Sequence, residues 1–344
     1  MKENRKPRRR RLLLLLPGIL LLLWLMLFVS SRIRAKRDLE FLRDEGYEQL
    51  VSAGDYSVNV IRCGNENGAH RIIAMAGFGI PDCCITMRRM TAHLEQENQV
   101  IFVDRAGYGM SDDTDTEMTV EQIVGAYRTT LQNAGIPAPY VLMPHSIGGV
   151  YATYWESRYP DEVEAVAIID GTELEAIPPE HQPTKPEGEV RLFYALDRAG
   201  LGGAGNLPLK AFLPPKDWLS AEEQRAEYAM TLMTYDSKAL LSESALECRN
   251  VNTAWEAIVT NEIPKIYITT AYLTEDALRA DGASEETVTE IMRETSAYLH
   301  DVLNPYLERL GNCELISLPG DHLIYETEPD ACGEIIRDFI ARLN

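Results

Sequence analysis

From Leu12 to Ser31 the chain carries twenty consecutive uncharged residues, most of them leucine, between Arg11 and Arg32. At about 1.5 Å per residue, a helix of that length matches the roughly 30 Å hydrocarbon core of a bilayer, so the run reads as a membrane-spanning segment. Seven Lys or Arg precede it and four follow by Arg37. That bias keeps residues 1–11 in the cytoplasm as a short basic tail and puts the remainder of the chain on the extracytoplasmic side. A cleaved signal peptide is the competing reading. The apolar run exceeds a usual signal core, and Ser30-Ser31-Arg32-Ile33-Arg34 offers no small-x-small cleavage site, which favours an uncleaved anchor over residues 12–31.

After a charged connector over residues 32–54, with Ala35 to Gly54 read as helical, short apolar runs alternate with helix-period stretches. The runs Tyr56 to Arg62, Arg71 to Met75, Gln99 to Asp104, Tyr140 to Met143, Glu164 to Ile169, Lys265 to Thr269 and Glu314 to Leu318 predict strands, largely apolar as parallel strands covered on both faces should be. Helices are expected over Pro81 to Gln96, Thr119 to Asn133, Ile147 to Tyr159 and Glu334 to Leu343, the second opening on a Thr-x-x-Gln capping box at Thr119 and Gln122. The alternation predicts an α/β fold with a mostly parallel central sheet and helices on both faces. It lapses over residues 171–263, which show amphipathic segments such as Ser220 to Thr234 and no strand pattern. A structureless loop of that length is foreign to a compact domain, so this region is expected to be a helical insertion between core segments 55–170 and 264–344.

Composition narrows the function. The chain has 33 basic and 53 acidic residues, and with the basic head removed, 22 basic residues stand against 52 acidic ones after Arg37, a balance of −30. Such a surface repels phosphate backbones, so no nucleic-acid partner is expected. Six cysteines without Cys-x-x-Cys spacing are too few for a disulfide scaffold and argue against thiolate metal binding, although an extracytoplasmic domain has room for one or two unassignable bridges. The adjacent Cys83 and Cys84 read as core or helix residues.

The sharpest chemical feature is Tyr140-Val141-Leu142-Met143-Pro144-His145-Ser146-Ile147-Gly148-Gly149, an apolar strand running into a serine, two glycines and a helix. A sharp strand-to-helix turn lifts a serine hydroxyl out of a sheet, and small neighbours make room where the two backbones meet. Two more stretches follow strands in the same way: Ala76-Gly77-Phe78-Gly79 and Asp104-Arg105-Ala106-Gly107-Tyr108-Gly109-Met110-Ser111. The ordered set resembles the α/β-hydrolase superfamily, with its Gly-x-Ser-x-Gly elbow, its oxyanion loop and its Asp-x-x-Gly-x-Gly-x-Ser turn. Pro144 stands at the first elbow glycine and Ala76 where relatives commonly have histidine.

The resemblance implies a serine hydrolase with a helical lid and assigns roles by position. Ser146 would be the nucleophile, with the backbone N–H groups of Phe78 and Ile147 as the oxyanion hole. A serine needs a histidine base, and among His70, His93, His145, His181, His300 and His322 only His322 follows the last strand and precedes the last helix. Pro319 and Asp321 replace the glycines of the usual Gly-x-Gly-His there, and His145 is expected to pack rather than react. The acid is either Asp170, at the end of the strand before the insertion, or Glu275 or Asp276 after the strand that follows it. A serine at the elbow argues against an epoxide hydrolase or a haloalkane dehalogenase.

Two weaker motifs fail their context. Gly200 to Gly205 fits Gly-x-Gly-x-x-Gly but follows a helical pattern rather than a strand, and Asp113-x-Asp115-x-Glu117 lacks the glycine of a calcium loop. The expected protein is thus a carboxylesterase- or lipase-like hydrolase acting on a small-molecule or lipid acyl substrate, with no metal or organic cofactor. The rival is a non-catalytic binding or sensor protein that retains the fold.

Overall fold

The computed structural model describes residues 6–182, 185–201 and 215–343. Helix α1 (Lys6–Asp44) is continuous and, from Leu16 on, is long and apolar enough to cross a membrane, its apolar stretch standing almost wholly exposed. Its C-terminal part joins the globular body, where Leu42 is fully buried and Asp38 pairs with Arg225 at 3.0 Å. Farther up the same helix, Trp24 Nε1 donates to the carbonyl of Ala199 at 3.0 Å.

Eight strands among the described residues form one sheet: β1 (Leu50–Ser52), β2 (Ser57–Gly64), β3 (Arg71–Met75), β4 (Gln99–Val103), β5 (Tyr140–Pro144), β6 (Val163–Ile169), β7 (Lys265–Thr269) and β8 (Cys313–Ser317), in the order β1-β2-β4-β3-β5-β6-β7-β8. The β1–β2 and β2–β4 pairs are antiparallel and every later pair is parallel. Side chains alternate across the sheet, as the period of two requires. Ile73, Met75, Ile101, Leu142 and Val166 face one apolar layer, while Ile72, Ala74, Val100, Val141 and Ala165 face the other.

The first layer is covered by α4 (Val120–Asn133) and α5 (Gly148–Arg158). Thr119 caps α4 by accepting from Gln122 N–H at 3.3 Å, but its own N–H donates to the Glu117 carbonyl, so the reciprocal half of the expected box is replaced. The second layer is covered by α2 (Cys83–Thr86), α3 (Arg88–Thr91) and the last helix. The single helix expected over Pro81 to Gln96 is therefore two short ones. Cys83 to Thr86 are buried on every side, so packing rather than an amphipathic period shapes this stretch.

Between β6 and β7 the described residues contain no strand. They contain α6 (Gly188–Arg198), α7 (Ala221–Tyr235) and α8 (Lys238–Ala257). Ser220 and Glu223 form a full capping box on α7, and the Asp113 carboxylate accepts from the N–H groups of Lys238 and Ala239, so the acidic turn seats the N-terminus of α8. Gly202 to Gly205 of the glycine motif lie outside the described residues. After β7 come α9 (Glu275–Ala280), α10 (Glu285–Tyr298) and α11 (Asn304–Leu310), and after β8 come α12 (Ile324–Thr327) and α13 (Pro329–Ile340). All six cysteines are free.

Candidate active site

The end of β5 shapes the site. Pro144 is the strand's last residue, opposite Met75 of β3, and the ladder continues past it because His145 N–H donates to the Met75 carbonyl at 2.9 Å. Proline's missing donor is thus spared. Ser146 then takes φ +53°, a left-handed conformation uncommon outside glycine, and α5 starts two residues later. The turn presses the helix start against the neighbouring loop: a Cβ on Gly148 would meet the Met75 carbonyl oxygen at 2.7 Å. A Cβ on Gly149 would meet only ordinary contacts at 3.6 Å, so one glycine of the expected pair is sterically required and the other is not.

Asp170 leaves the neighbouring strand β6 at φ +39°, and the two strand ends are held together. Ser146 N–H reaches the Ile169 carbonyl at 3.4 Å, and Thr172 N–H donates to the Ser146 carbonyl at 3.0 Å. The other long-range partner arrives after β8. His322 Nδ1 lies 2.6 Å from Asp170 Oδ2, while Asp170 Oδ1 accepts from the N–H and hydroxyl of Thr270 at 3.1 and 3.0 Å. Burial favours a proton on Asp170, but the hydrogen bonds from His322 and Thr270 outweigh it and hold the carboxyl below the ordinary range. The same hydrogen bond raises His322 above its ordinary value, against partial burial. The imidazole remains 55% exposed, open to an incoming molecule.

His145 does more than pack. It is fully buried, burial pushes its pKa down to about 4, and the neutral ring's Nε2–H donates to the His322 backbone carbonyl at 2.8 Å. The two rings lie 4.6 Å apart, so the residue beside Ser146 also grips the loop of His322. Asp321 supports that loop by accepting from Leu323 N–H at 2.9 Å.

The Ala76–Gly79 loop closes the site from the other side. Among the described residues, neither Phe78 N–H nor Ile147 N–H donates to another protein group. The loop is fixed by Arg105, a residue that sequence reasoning quoted only as part of a motif. Its buried guanidinium donates to the Ala76 and Gly77 carbonyls at 2.7 and 2.9 Å and pairs with Glu243 at 3.1 Å, and Glu243 also accepts from Tyr151 at 2.6 Å. Gly79 N–H donates to the Tyr108 hydroxyl at 3.1 Å. With two carbonyls turned toward Arg105, the intervening amides are left for another acceptor.

The structure therefore pairs His322 with Asp170 and ties the Ser146 turn to the strand end that carries Asp170. Glu275 and Asp276 are elsewhere, in the first turn of α9, paired with Arg279 at 2.8 and 3.6 Å. Thr270 and Arg105 are additions from the structure, since their contacts span 100 residues and up to 138 residues of chain.

No family model matches the chain. Among curated proteins, it is 22% identical over 333 residues to the uncharacterized protein YbdG of Bacillus subtilis (strain 168), spanning 95% of both chains. It is 29% identical over 184 residues to the putative carbamate hydrolase RutD of Enterobacter cloacae, half of this chain and 62% of that one. Among solved structures, a probable hydrolytic enzyme from Pseudomonas aeruginosa PAO1 aligns with TM-score 0.59 at 18% identity, over 85% of this chain and 93% of its own. The haloalkane dehalogenase DatA of Agrobacterium tumefaciens C58 aligns with TM-score 0.58 at 18% identity, over 86% and 96%.

Proposed function

We propose that this chain, built on the α/β-hydrolase fold, is a membrane-anchored serine hydrolase that cleaves an ester-like bond (ester, thioester or amide) through an acyl-enzyme intermediate. Ser146 attacks the carbonyl and His322 takes its proton. Asp170 keeps the imidazole in the Nδ1–H tautomer and stabilises the imidazolium that forms. The Phe78 and Ile147 amides hold the oxyanion, and His322 returns the proton to the leaving group. Water then enters and the cycle repeats on the acyl-enzyme. In this reading the core comprises residues 55–170 and 264–344, and residues 171–263 form the lid. Helix α1 anchors the enzyme with its N-terminus in the cytoplasm and the hydrolase domain outside.

The observation that carries the proposal is the 2.6 Å His322–Asp170 hydrogen bond beside the left-handed Ser146 turn. The hydrolase names of one sequence relative and one structural neighbour agree with it. A serine at the elbow and the absence of an aspartate there separate the proposed chemistry from dehalogenation. The test is labelling of the detergent-solubilised full chain with a fluorophosphonate probe. Labelling lost in both Ser146→Ala and His322→Ala supports the proposal. A folded wild type that resists the probe overturns it in favour of a binding protein.

A further inference from the structure

Next to the Ala76–Gly79 loop, a cavity of about 180 Å³ lies between the Gly79–Asp82 segment, the residues just past His322 and helices α6 and α7. Its floor includes Gly79 and Asp82 on one side and Tyr325 and Glu326, just past His322, on the other; Glu227 of α7 reaches in from above. At roughly 30 Å³ per water, the space fits about six waters or one small organic group.

Its charge is unbalanced. Among the described residues Lys216 is the only cation lining it, and that ammonium already donates to Glu227 at 2.8 Å and Glu326 at 2.7 Å. Asp82 is 5% exposed, and its carboxylate receives no hydrogen bond from any other described residue, not even as the cap of α2. Four carboxyl groups thus face one lysine: the buried Asp82 and Glu227, the partly buried Glu326 and the exposed Glu189. Burial, then the charge of Glu227, pushes Asp82 up to about 7, and burial raises Glu326 as well. A buried carboxyl without a partner is costly to ionise, and a cation arriving in the cavity removes that cost. An anion would find the one lysine already saturated. The carboxylates stand on separate segments around the cavity, and an organic ammonium, which spreads its three donors over separate acceptors, is the cation that suits them.

We propose that this cavity recognises the protonated amine of the substrate, so that the preferred substrates are acyl compounds bearing a free amino group near the scissile carbonyl. This deepens the serine-hydrolase reading and rests on it for the word substrate, while the amine site itself stands on the cavity. The acidic surface beyond Arg37 adds long-range attraction for such a molecule.

Two measurements on the solubilised full chain test it. The first is calorimetric titration with L-alaninol and with N-acetyl-L-alaninol, which reads the cavity whatever the serine does. Charge-assisted hydrogen bonds give about 10- to 100-fold tighter binding of the free amine. Asp82→Asn and Glu326→Gln should each erase most of that ratio. The second compares kcat/KM for L-alanine benzyl ester, N-acetyl-L-alanine benzyl ester and benzyl propionate, with the free amine expected to lead by about 10-fold or more. Equal binding of the two alaninols, or none of either, overturns the amine site. Fluorophosphonate labelling with equal turnover of the three esters overturns it too and leaves the hydrolase reading intact. Free-amine binding without labelling supports the amine site and sinks the hydrolase reading instead.

Discussion

Replacing Asp170 by Asn tests the proposed chemistry at its most specific point, because the structure dictates how the new amide must sit. Asp170 Oδ1 accepts two donors from Thr270, a backbone N–H and a hydroxyl, and Oδ2 faces His322 Nδ1. An Asn at 170 keeps its carbonyl oxygen toward Thr270, since an amide NH2 cannot accept there, and so presents the NH2 to His322. The imidazole must then accept at Nδ1 and carry its proton on Nε2. In that tautomer it has no lone pair for the Ser146 proton. The lost charge-assisted hydrogen bond accounts for about 1.5–3 kcal/mol, or one to two decades. The wrong tautomer supplies the rest of a loss of about 10⁴-fold, the size seen where a triad aspartate is amidated in a serine protease. The pH profile must move as well. Asp170 raises His322 above 6.5, so wild-type activity climbs with pH through a midpoint above 6.5. Without the carboxylate, partial burial lowers the ring against the smaller pull of Glu173 and Asp321, and the residual activity should climb through a lower midpoint. His145, with its pKa near 4, lies outside that window. The assay is the second-order rate of fluorophosphonate labelling from pH 5 to 9. A loss below tenfold, or an unchanged midpoint, would refute the tautomer argument.

Further outcomes follow from the same geometry. Gly148→Ala should abolish labelling and lower the unfolding midpoint, because its Cβ would meet the Met75 carbonyl at 2.7 Å, whereas Gly149→Ala should leave both within a few-fold of wild type; equal damage from the two would contradict the elbow packing. Arg105→Met should cost about 3–5 kcal/mol in urea unfolding, since it leaves Glu243 buried and unpaired, and pairing it with Glu243→Leu should recover stability but not the labelling rate, because the Ala76 and Gly77 carbonyls stay unheld. Glu156, buried against Lys265, is pushed up to about 7 by burial. An acid so raised contributes stability that is fully present below its unfolded value near 4.5 and is lost as pH rises through about 7. The melting temperature of the wild type should therefore fall, relative to Glu156→Gln, between pH 5 and pH 8, and parallel curves would refute this.

The sheet was legible because its central strands β3 to β7 are almost wholly buried, so each apolar run marks a strand to within a residue or so. The edge strand β1 was not: three residues with partial exposure leave no pattern to read. Nor does a parallel run announce its neighbours, so the strand order came only from the structure. Ser146 and His322 are candidates from local punctuation, a turn after a strand with glycines or a loop between strand and helix. The acid remained open because two strand ends offered carboxylates and sequence carries no distances. The structure puts Asp170, and not Glu275 or Asp276, within reach of His322. The roles of Arg105, Thr270 and the His145 side chain depend on contacts across the fold, where periodicity is silent.

The unbroken run of α1 from its apolar stretch into the globular body has a mechanical consequence. Residues 32–44 alone would make a stalk of about 20 Å if they stood free. They do not stand free: Leu42 is buried in the body and Asp38 pairs with Arg225. Under the proposed anchoring, the body is held close against the bilayer rather than swinging from a leash. Its tumbling would then reduce to spin about one axis, its travel would be set by lipid viscosity, and one side of it would be shielded from bulky reagents such as proteases and antibodies. Collisions with anything dissolved then come from the open half-space alone.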